Sequence, residues 1–238
     1  MTWKLLQGDC RFKMSEMRPN TYDLIFADPP FGIGYDYDLH NDNVSRSEYL
    51  NFTQLWMYEA KRVLSDTGSL WIMIGDEYAA EIRMKIREFK LHLRNWVVWY
   101  YSFGQACQNK FSRSHCHLFY CTKDAKNFIF NADSVRVPSD RQTIYNDARA
   151  NPLGKLPDDT WLDTRICGTF RERTKHPCQI PETILNRIVL GCTNIQDKIL
   201  DPFAGSGTTL AVGHRLGRDV TGIELSPGYC EIIRERMS

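Results

Sequence analysis

Short apolar runs alternate with amphipathic stretches along the chain, a rhythm that predicts strands feeding helices. WKLLQ at 3–7 and the nearly continuous apolar YDLIFA at 22–27 read as strands, the second as a parallel strand buried on both faces. Ser45-Arg46-Ser47-Glu48 reads as a capping box opening a helix that carries Tyr49, Phe52, Trp56 and Leu64 on roughly one face. GSLWIMI at 68–74 is the next strand. A basic amphipathic helix from about Glu77 to Leu93 follows, then strand-like NWVVWYYS, a polar loop, and a strand in HLFYCT. Between about 127 and 175 the periodicity fails, and short apolar pieces alternate with Asp, Asn, Pro, Gly and Arg, which marks a small irregular insertion. Order resumes with a helix whose first turn holds Pro181, a strand at Lys198–Leu200, and a helix from about Gly207 to a stop at Gly217. The strand DVTGIEL and a last helix, with Ser226 as N-cap and Pro227 at its first position, complete the pattern. The expected fold is α/β, a mostly parallel sheet with helices on both faces and ligands beyond the carboxyl ends of the strands. Segments 1–126 and 176–238 are then two parts of one domain, separated by the 127–175 insertion.

Composition changes this picture little. With 42% hydrophobic and 25% charged residues, the chain matches an ordinary globular protein and excludes disordered, collagen-like and membrane classes. MTWKLLQGDC is too short in apolar length for a secretory signal or a spanning helix, so the cytoplasm is the expected compartment. Eight cysteines with no C-x-x-C pair read as thiols. The net charge of +1 is uninformative, but its distribution is not: residues 1–82 carry 7 basic and 13 acidic groups, residues 83–126 carry 9 basic and 2 acidic. Such asymmetry suits a local face for a polyanion; a solvated helix face serves equally well for Arg83, Lys85, Arg87 and Lys90.

Four strand-to-helix junctions hold unusual chemistry, and a parallel sheet would gather them along one edge: Gly8-Asp9-Cys10, Asp28-Pro29-Pro30-Phe31, DPFAGSGTT at 201–209, and Glu224-Leu225-Ser226. In the third, Gly205 and Gly207 let the backbone turn sharply and approach a ligand at a helix N-terminus. It lacks the Gly-Lys-Ser/Thr of a triphosphate loop. Glu224, at the end of the following strand, stands where a carboxylate accepts hydrogen bonds from a ribose diol. Alone, this pair supports any adenosyl or dinucleotide ligand. Asp28 is the discriminating feature, because two prolines fix the backbone behind it and remove spare N–H groups, leaving a rigid set of acceptors. An exocyclic amine on a base is a poor nucleophile, its lone pair being delocalised into the ring, and acceptors gripping its hydrogens help to free that pair. Phe31 offers a flat face for a base, which reaches such a pocket only by leaving the duplex stack.

Asp28-Pro29-Pro30-Phe31 together with DPFAGSGTT resembles the amino-methyltransferases that modify DNA, and the order of the two motifs resembles their β group. Lys175-His176-Pro177-Cys178-Gln179-Ile180-Pro181-Glu182 is similar to that group's HPTQKP element, with Cys178 and Ile180 replacing its usual Thr and Lys. The resemblance spans nearly the whole chain. It implies a Rossmann-like methyltransferase fold with circularly permuted motif order, S-adenosyl-L-methionine as cofactor, and adenine N6 of double-stranded DNA as substrate. Asp28 and the Pro29 carbonyl would hold the amine beside Pro30, and Phe31, where tyrosine is commoner, would stack on the base. Phe203, Ala204, Gly205, Ser206, Gly207 and Thr208 would hold the methionine part, Glu224 the ribose hydroxyls and Asp9 the adenine amine, with Cys10, Asp28, Asp201 and Leu225 completing the cofactor site. Many cytosine-N4 enzymes carry Ser at the position of Asp28, so the aspartate favours adenine. Cytosine N4, an RNA base, and a non-catalytic DNA-binding subunit stay open as alternatives. The resemblance also admits a homodimer and a cognate restriction endonuclease acting separately.

For DNA contact, SFGQACQNKFSRS at 102–114 offers Lys110, Phe111 and Arg113, a mixture suited to phosphates and base stacking. Recognition of sequence is expected from the insertion, where Arg136, Arg141, Arg149 and Lys155 are candidates. His115, Cys116, His117 and Cys121 do not form a metal site on this reading, because strand alternation turns Cys116 away from the other three.

Overall fold

The computed structural model describes residues 1–32, 43–105, 107–168 and 170–238; the side chains of Phe103 and Gln105, and all of Ala106, lie outside the described residues, inside the 102–114 stretch. In chain order the elements are β1 (Trp3–Gln7), α1 (Cys10–Ser15), β2 (Tyr22–Ala27), α2 (Arg46–Val63), β3 (Leu64–Ile74), α3 (Ala79–Glu88), β4 (His92–Gln105) and β5 (Arg113–Thr122). After a 3-10 turn at Ala132–Val135 come α4 (Asp140–Thr143), β6 (Thr160–Leu162), α5 (Glu182–Cys192), β7 (Lys198–Asp201), α6 (Thr208–Arg215), β8 (Asp219–Glu224) and α7 (Pro227–Met237).

The eight strands form one sheet in the order β1-β8-β7-β2-β3-β5-β4-β6. Only the β3–β5 and β5–β4 pairings are antiparallel. Strand alternation divides the core in two. Ile25 and Ala27 of β2, Leu70, Ile72 and Ile74 of β3, and Phe119 and Cys121 of β5 face the layer formed by α1, α2 and α3. Leu24, Phe26, Trp71, Met73, Leu118 and Tyr120 face the layer of α5, α6 and α7. This explains the continuous apolar run of β2: both of its faces are covered, so neither can be polar. The same alternation separates Cys116, packed on the second layer, from Cys121 in the first.

The predicted capping box is present, with Glu48 N–H donating to Ser45 Oγ at 3.3 Å and Ser45 N–H to Glu48 Oε2 at 2.9 Å. α2 ends at Val63, so Leu64 belongs to β3 rather than to the helix face. The basic helix is shorter than its pattern suggests: α3 covers only Ala79–Glu88, because Lys90 takes φ 55° and turns the chain into β4. Its Lys85 is held by Gln54 at 2.9 Å and Glu88 at 2.7 Å, which favours the solvated-face reading for that residue. Pro181 is the N-cap of α5, just ahead of the first turn in which the pattern puts it. The stretch 102–114 begins and ends in strand, since β4 runs to Gln105 and β5 starts at Arg113. The insertion is not wholly outside the sheet either: β6 pairs in parallel with β4 through Val98–Thr160, Trp99–Trp161 and Tyr100–Leu162. A three-residue strand is too short to show periodicity, and Trp161 alone is buried in it.

Candidate active site

The carboxyl ends of β1, β8, β7 and β2 lie side by side because those strands are neighbours, and the four junctions that follow them converge on one cleft. The cleft holds about 1120 Å³ of empty space, part of it open to solvent. Asp9, Cys10, Asp28, Pro30, Asp201, Phe203, Ala204, Gly205, Ser206, Thr208, Glu224 and Leu225 line it, all of them anticipated from the sequence. Pro29, Phe31 and Gly207 do not line it. Pro29 is buried. The Phe31 ring lies over Gly75 beyond the end of β3, where an added Cβ would come within 3.2 Å of it. Gly207 sits beneath the loop, at φ 74°, and a Cβ there would meet Ile233 of α7 at 3.1 Å. Its role is to bring loop and helix together.

Glu224 organises the glycine-rich loop. Gly205 N–H donates to its Oε2 and Ser226 N–H to its Oε1, both at 2.8 Å. On β7, Asp201 is almost wholly buried, and its Oδ1 accepts from Phe203 N–H at 2.9 Å. Burial pushes its carboxyl up to about 7; hydrogen bonds from Thr209 and Phe203 oppose this, and the charge of Glu224 adds to it. Asp28 is raised well above the ordinary carboxylate range, first by burial and then by the charge of Asp201. Two carboxyls of raised proton affinity therefore line one cleft, a perturbation that clusters at functional sites.

Asp9 departs from its simple expectation. Its carboxylate caps α1 through Arg11 N–H at 2.8 Å and pairs with the Arg11 guanidinium at 2.6 Å. Arg11 in turn lies 5.2 Å from the Phe52 ring, so Asp9, Arg11 and Phe52 together form one rim. Burial and the neighbouring Asp9 push the Cys10 thiol up to about 12, leaving it an uncharged wall residue.

Several lining residues carried no assigned role in the sequence reading. Phe52 was legible only as part of a helix face; it meets Phe203 edge-on at 6.1 Å, and Trp56 meets Phe203 at 5.5 Å. His176, Cys178 and Ile180 also line the cleft. His176 is buried against Gly205 and Tyr229, its ring 4.4 Å from that of Tyr229, and burial lowers it to about 4, so it is neutral. The signal was the HPTQKP-like element, which marks the segment without saying what its side chains touch. Gln179 is structural: Thr174 N–H donates to it at 2.8 Å and it donates to the Glu172 carbonyl at 2.6 Å.

The candidate DNA residues separate into two kinds. Phe111 is 99% exposed and Lys110 is exposed beside it at the tip of the β4–β5 hairpin. Arg113 is paired with Asp76 at 3.0 Å, Arg136 with Asp133 at 2.7 Å, Arg141 and Arg149 with Asp147 at 2.7 and 3.0 Å, and Lys155 with Asp158 at 2.5 Å. Arg136 also donates to the Gly154 carbonyl at 3.0 Å, fixing the insertion's own fold. Among the described residues no helix is long and apolar enough to cross a membrane.

A mostly parallel open sheet, with a glycine loop after one strand, a carboxylate after the next and an acidic Pro-Pro junction after a third, is the class I methyltransferase fold. Residues 22–235 match the family described as DNA methylase, of the N6 and N4 type, and the chain belongs to that family. It is 32% identical over 238 residues to the type II methyltransferase M.HpaI of Haemophilus parainfluenzae, covering all of this chain and 74% of that one. It is also 32% identical over 241 residues to the DNA adenine methyltransferase YhdJ of Escherichia coli (strain K12), covering 98% and 82%. Among solved structures it superposes on the cytosine-N4-specific PvuII DNA methyltransferase with a TM-score of 0.76 at 16% identity, covering 100% and 87% of the two chains. The M1.HpyAVI–SAM complex gives 0.70 at 19%, with both chains fully covered. The chain is thus a site-specific DNA methyltransferase of the amino-methylating kind.

Proposed function

We propose that this enzyme transfers the methyl group of S-adenosyl-L-methionine to N6 of an adenine extruded from double-stranded DNA. The carrying observation is that Asp28 lines the same cleft as Glu224 and the 203–208 loop, so amine acceptor and cofactor cradle share one cavity. The cleft's chemistry fits that cofactor. Glu224 presents a carboxylate at the place of a ribose diol, Ile180, Ile223 and Leu225 give apolar walls, and the Asp28 and Asp201 carboxyls are groups that a cationic amino acid would help to ionise. M1.HpyAVI has been solved with SAM bound, which supports the assignment.

Bound there, the cofactor supplies an electrophilic methyl group on sulfur. The protein's part is chiefly positioning. Asp28 accepts one hydrogen of the amine and the Pro29 carbonyl the other, which frees the nitrogen lone pair. Because burial and Asp201 raise its proton affinity, the Asp28 carboxyl can hold the proton released as the C–N bond forms. Phe31 stacks on the extruded base, and Lys110 and Phe111 meet the DNA from the hairpin tip. Arg113, Arg136 and Arg141 reach phosphates or bases only by exchanging their carboxylate partners.

Adenine is favoured by the aspartate at position 28 and by the similarity to an adenine methyltransferase. Cytosine N4 is the second reading, favoured by the superposition on a cytosine-N4-specific enzyme. Nucleoside mass spectrometry after incubating DNA with labelled cofactor separates them: N6-methyladenine is expected, and N4-methylcytosine with unlabelled adenine overturns the assignment. Asp28→Ala should abolish transfer even at saturating cofactor, a loss larger than any weakening of cofactor binding accounts for. Full turnover in that variant would remove Asp28 from the mechanism.

A further inference from the structure

The glycine-rich loop is held from below as well as from within the cleft. α7 packs under it, with Ile233 against Gly207, and three residues later Arg236 reaches the same loop. Its Nη1 donates to the Ser206 carbonyl at 3.2 Å and to Thr208 Oγ1 at 3.0 Å; its Nη2 pairs with Glu182 Oε1 at 2.7 Å. The Arg236 side chain is only 11% exposed. Glu182 opens α5, directly after the segment that supplies His176, Cys178 and Ile180 to the cleft lining. Its second oxygen pairs with Arg215 of α6 at 2.6 Å, and its N–H donates to Glu172 Oε2 at 3.1 Å.

One guanidinium therefore joins the Ser206–Thr208 loop to Glu182 at the start of α5, which directly follows the segment whose His176 packs on Gly205 of the same loop. We propose that Arg236, clamped by Glu182, is a positioning residue that sets the shape of the cofactor cradle and thereby the enzyme's affinity for S-adenosylmethionine. A guanidinium is suited to this task because its fixed fork of donors serves two directions at once, whereas an ammonium is a single point of attachment. Truncating it leaves the Ser206 carbonyl, which immediately precedes a positive-φ glycine, without this anchor, and the loop gains freedom that ligand binding must then remove.

The inference rests on the methyltransferase reading, and the experiment separates the two. Titration calorimetry of the full chain with S-adenosylhomocysteine, and steady-state kinetics with S-adenosylmethionine and DNA, are run on wild type, Arg236→Met, Arg236→Lys and Glu182→Gln. Binding energy lost equally in ground and transition states raises KM at constant kcat. Arg236→Met should accordingly raise Kd and the cofactor KM by roughly tenfold while kcat at saturation changes by less than about threefold, with DNA affinity unchanged. Arg236→Lys should recover part of the loss. Glu182→Gln should move in the same direction as Arg236→Met, and the pair should be non-additive in a double variant. Wild-type Kd in Arg236→Met, or a fall in kcat at unchanged KM, overturns the proposal. If Arg236→Met does not fold, Arg236→Lys and Glu182→Gln decide it by the same split. A wild-type protein that binds neither cofactor nor product refutes the methyltransferase reading instead.

Discussion

Asp201 combines near-complete burial with a proton affinity raised into the neutral range, which makes its contribution to stability measurable. In the unfolded chain the carboxyl releases its proton near 3.8; in the fold it does so at about 7. Between those pH values the native state holds a proton that the unfolded state has lost, so stability falls as pH rises, and the penalty is complete above about 7. A displacement of this size corresponds to roughly 4 kcal/mol. Asp201→Asn replaces the carboxyl with a neutral group that can still accept from Phe203 N–H, and so removes the penalty without emptying the site. Urea unfolding of both proteins across pH 4.5 to 8 reads the group together with the part of the Asp28 shift that Asp201 causes, the two being neighbours in the cleft. Near pH 4.5 the variant should lie within about 1 kcal/mol of wild type; by pH 8 it should be more stable by several kcal/mol, worth of order 10 °C in Tm for a chain of this length. A stability difference that stays constant with pH, or a variant less stable at pH 8, would refute the reasoning. The gain should come at a functional loss, because the variant no longer offers a cationic cofactor that carboxylate, and this is the usual trade at a site held away from its stability optimum.

Cofactor affinity should itself depend on pH: a cation favours the ionised form of Asp201, so Kd should rise as pH falls below about 7, and calorimetry at pH 8 and pH 6 checks this. Gly207→Ala should cost about 1–2 kcal/mol and weaken cofactor binding, because a Cβ at φ 74° would press on Ile233; denaturant melts and the product Kd test it. Ser45→Ala removes the capping box of α2 and should lower stability by about 1 kcal/mol with kcat unchanged, as judged by thermal melts and turnover. Phe111→Ala should reduce methylation of matched duplex more than of duplex mismatched at the target base, where extrusion is easier; equal loss on both would assign Phe111 to DNA affinity alone.

Most of the cleft was legible in the sequence because its functional groups sit at strand-to-helix junctions, and junctions are where Gly, Pro and acidic residues interrupt an apolar rhythm. Asp28, Asp201 and Glu224 each end a strand whose pattern is plain, so the sheet alone brings them together. What stayed hidden depends on side-chain pairing across long separations. Nothing in the pattern says that Arg11 turns back to occupy Asp9, that Phe52 leaves its helix face to line the cleft, or that Arg236 reaches Ser206. The candidate arginines of the insertion are a related case: Arg136 and Arg141 are engaged with Asp133 and Asp147 a few residues along the chain. Pairing of near neighbours uses up charge that a tally counts as free.

The permuted order of motifs also has a physical basis. β1 and β8 are far apart in sequence yet pair in parallel, with Gln7 opposite Glu224, so the Asp9 and Glu224 junctions emerge side by side. Gly8 N–H donates to the Glu224 carbonyl at 2.8 Å, tying the two turns at the point where they enter the cleft. At the other end of the pair, Thr2 N–H donates to Asp219 Oδ1 at 2.6 Å. A cleft at the carboxyl edge of a sheet requires only that the right strands be neighbours; the sequence order of the segments joining them is immaterial to its geometry. The consequence is that the first strand and the last helix act on the same cleft from opposite ends of the sequence: β1 delivers the Asp9–Arg11 rim, and α7 supports the glycine loop through Ile233 and Arg236. A substitution loosening either should therefore reach the cofactor before it reaches the DNA.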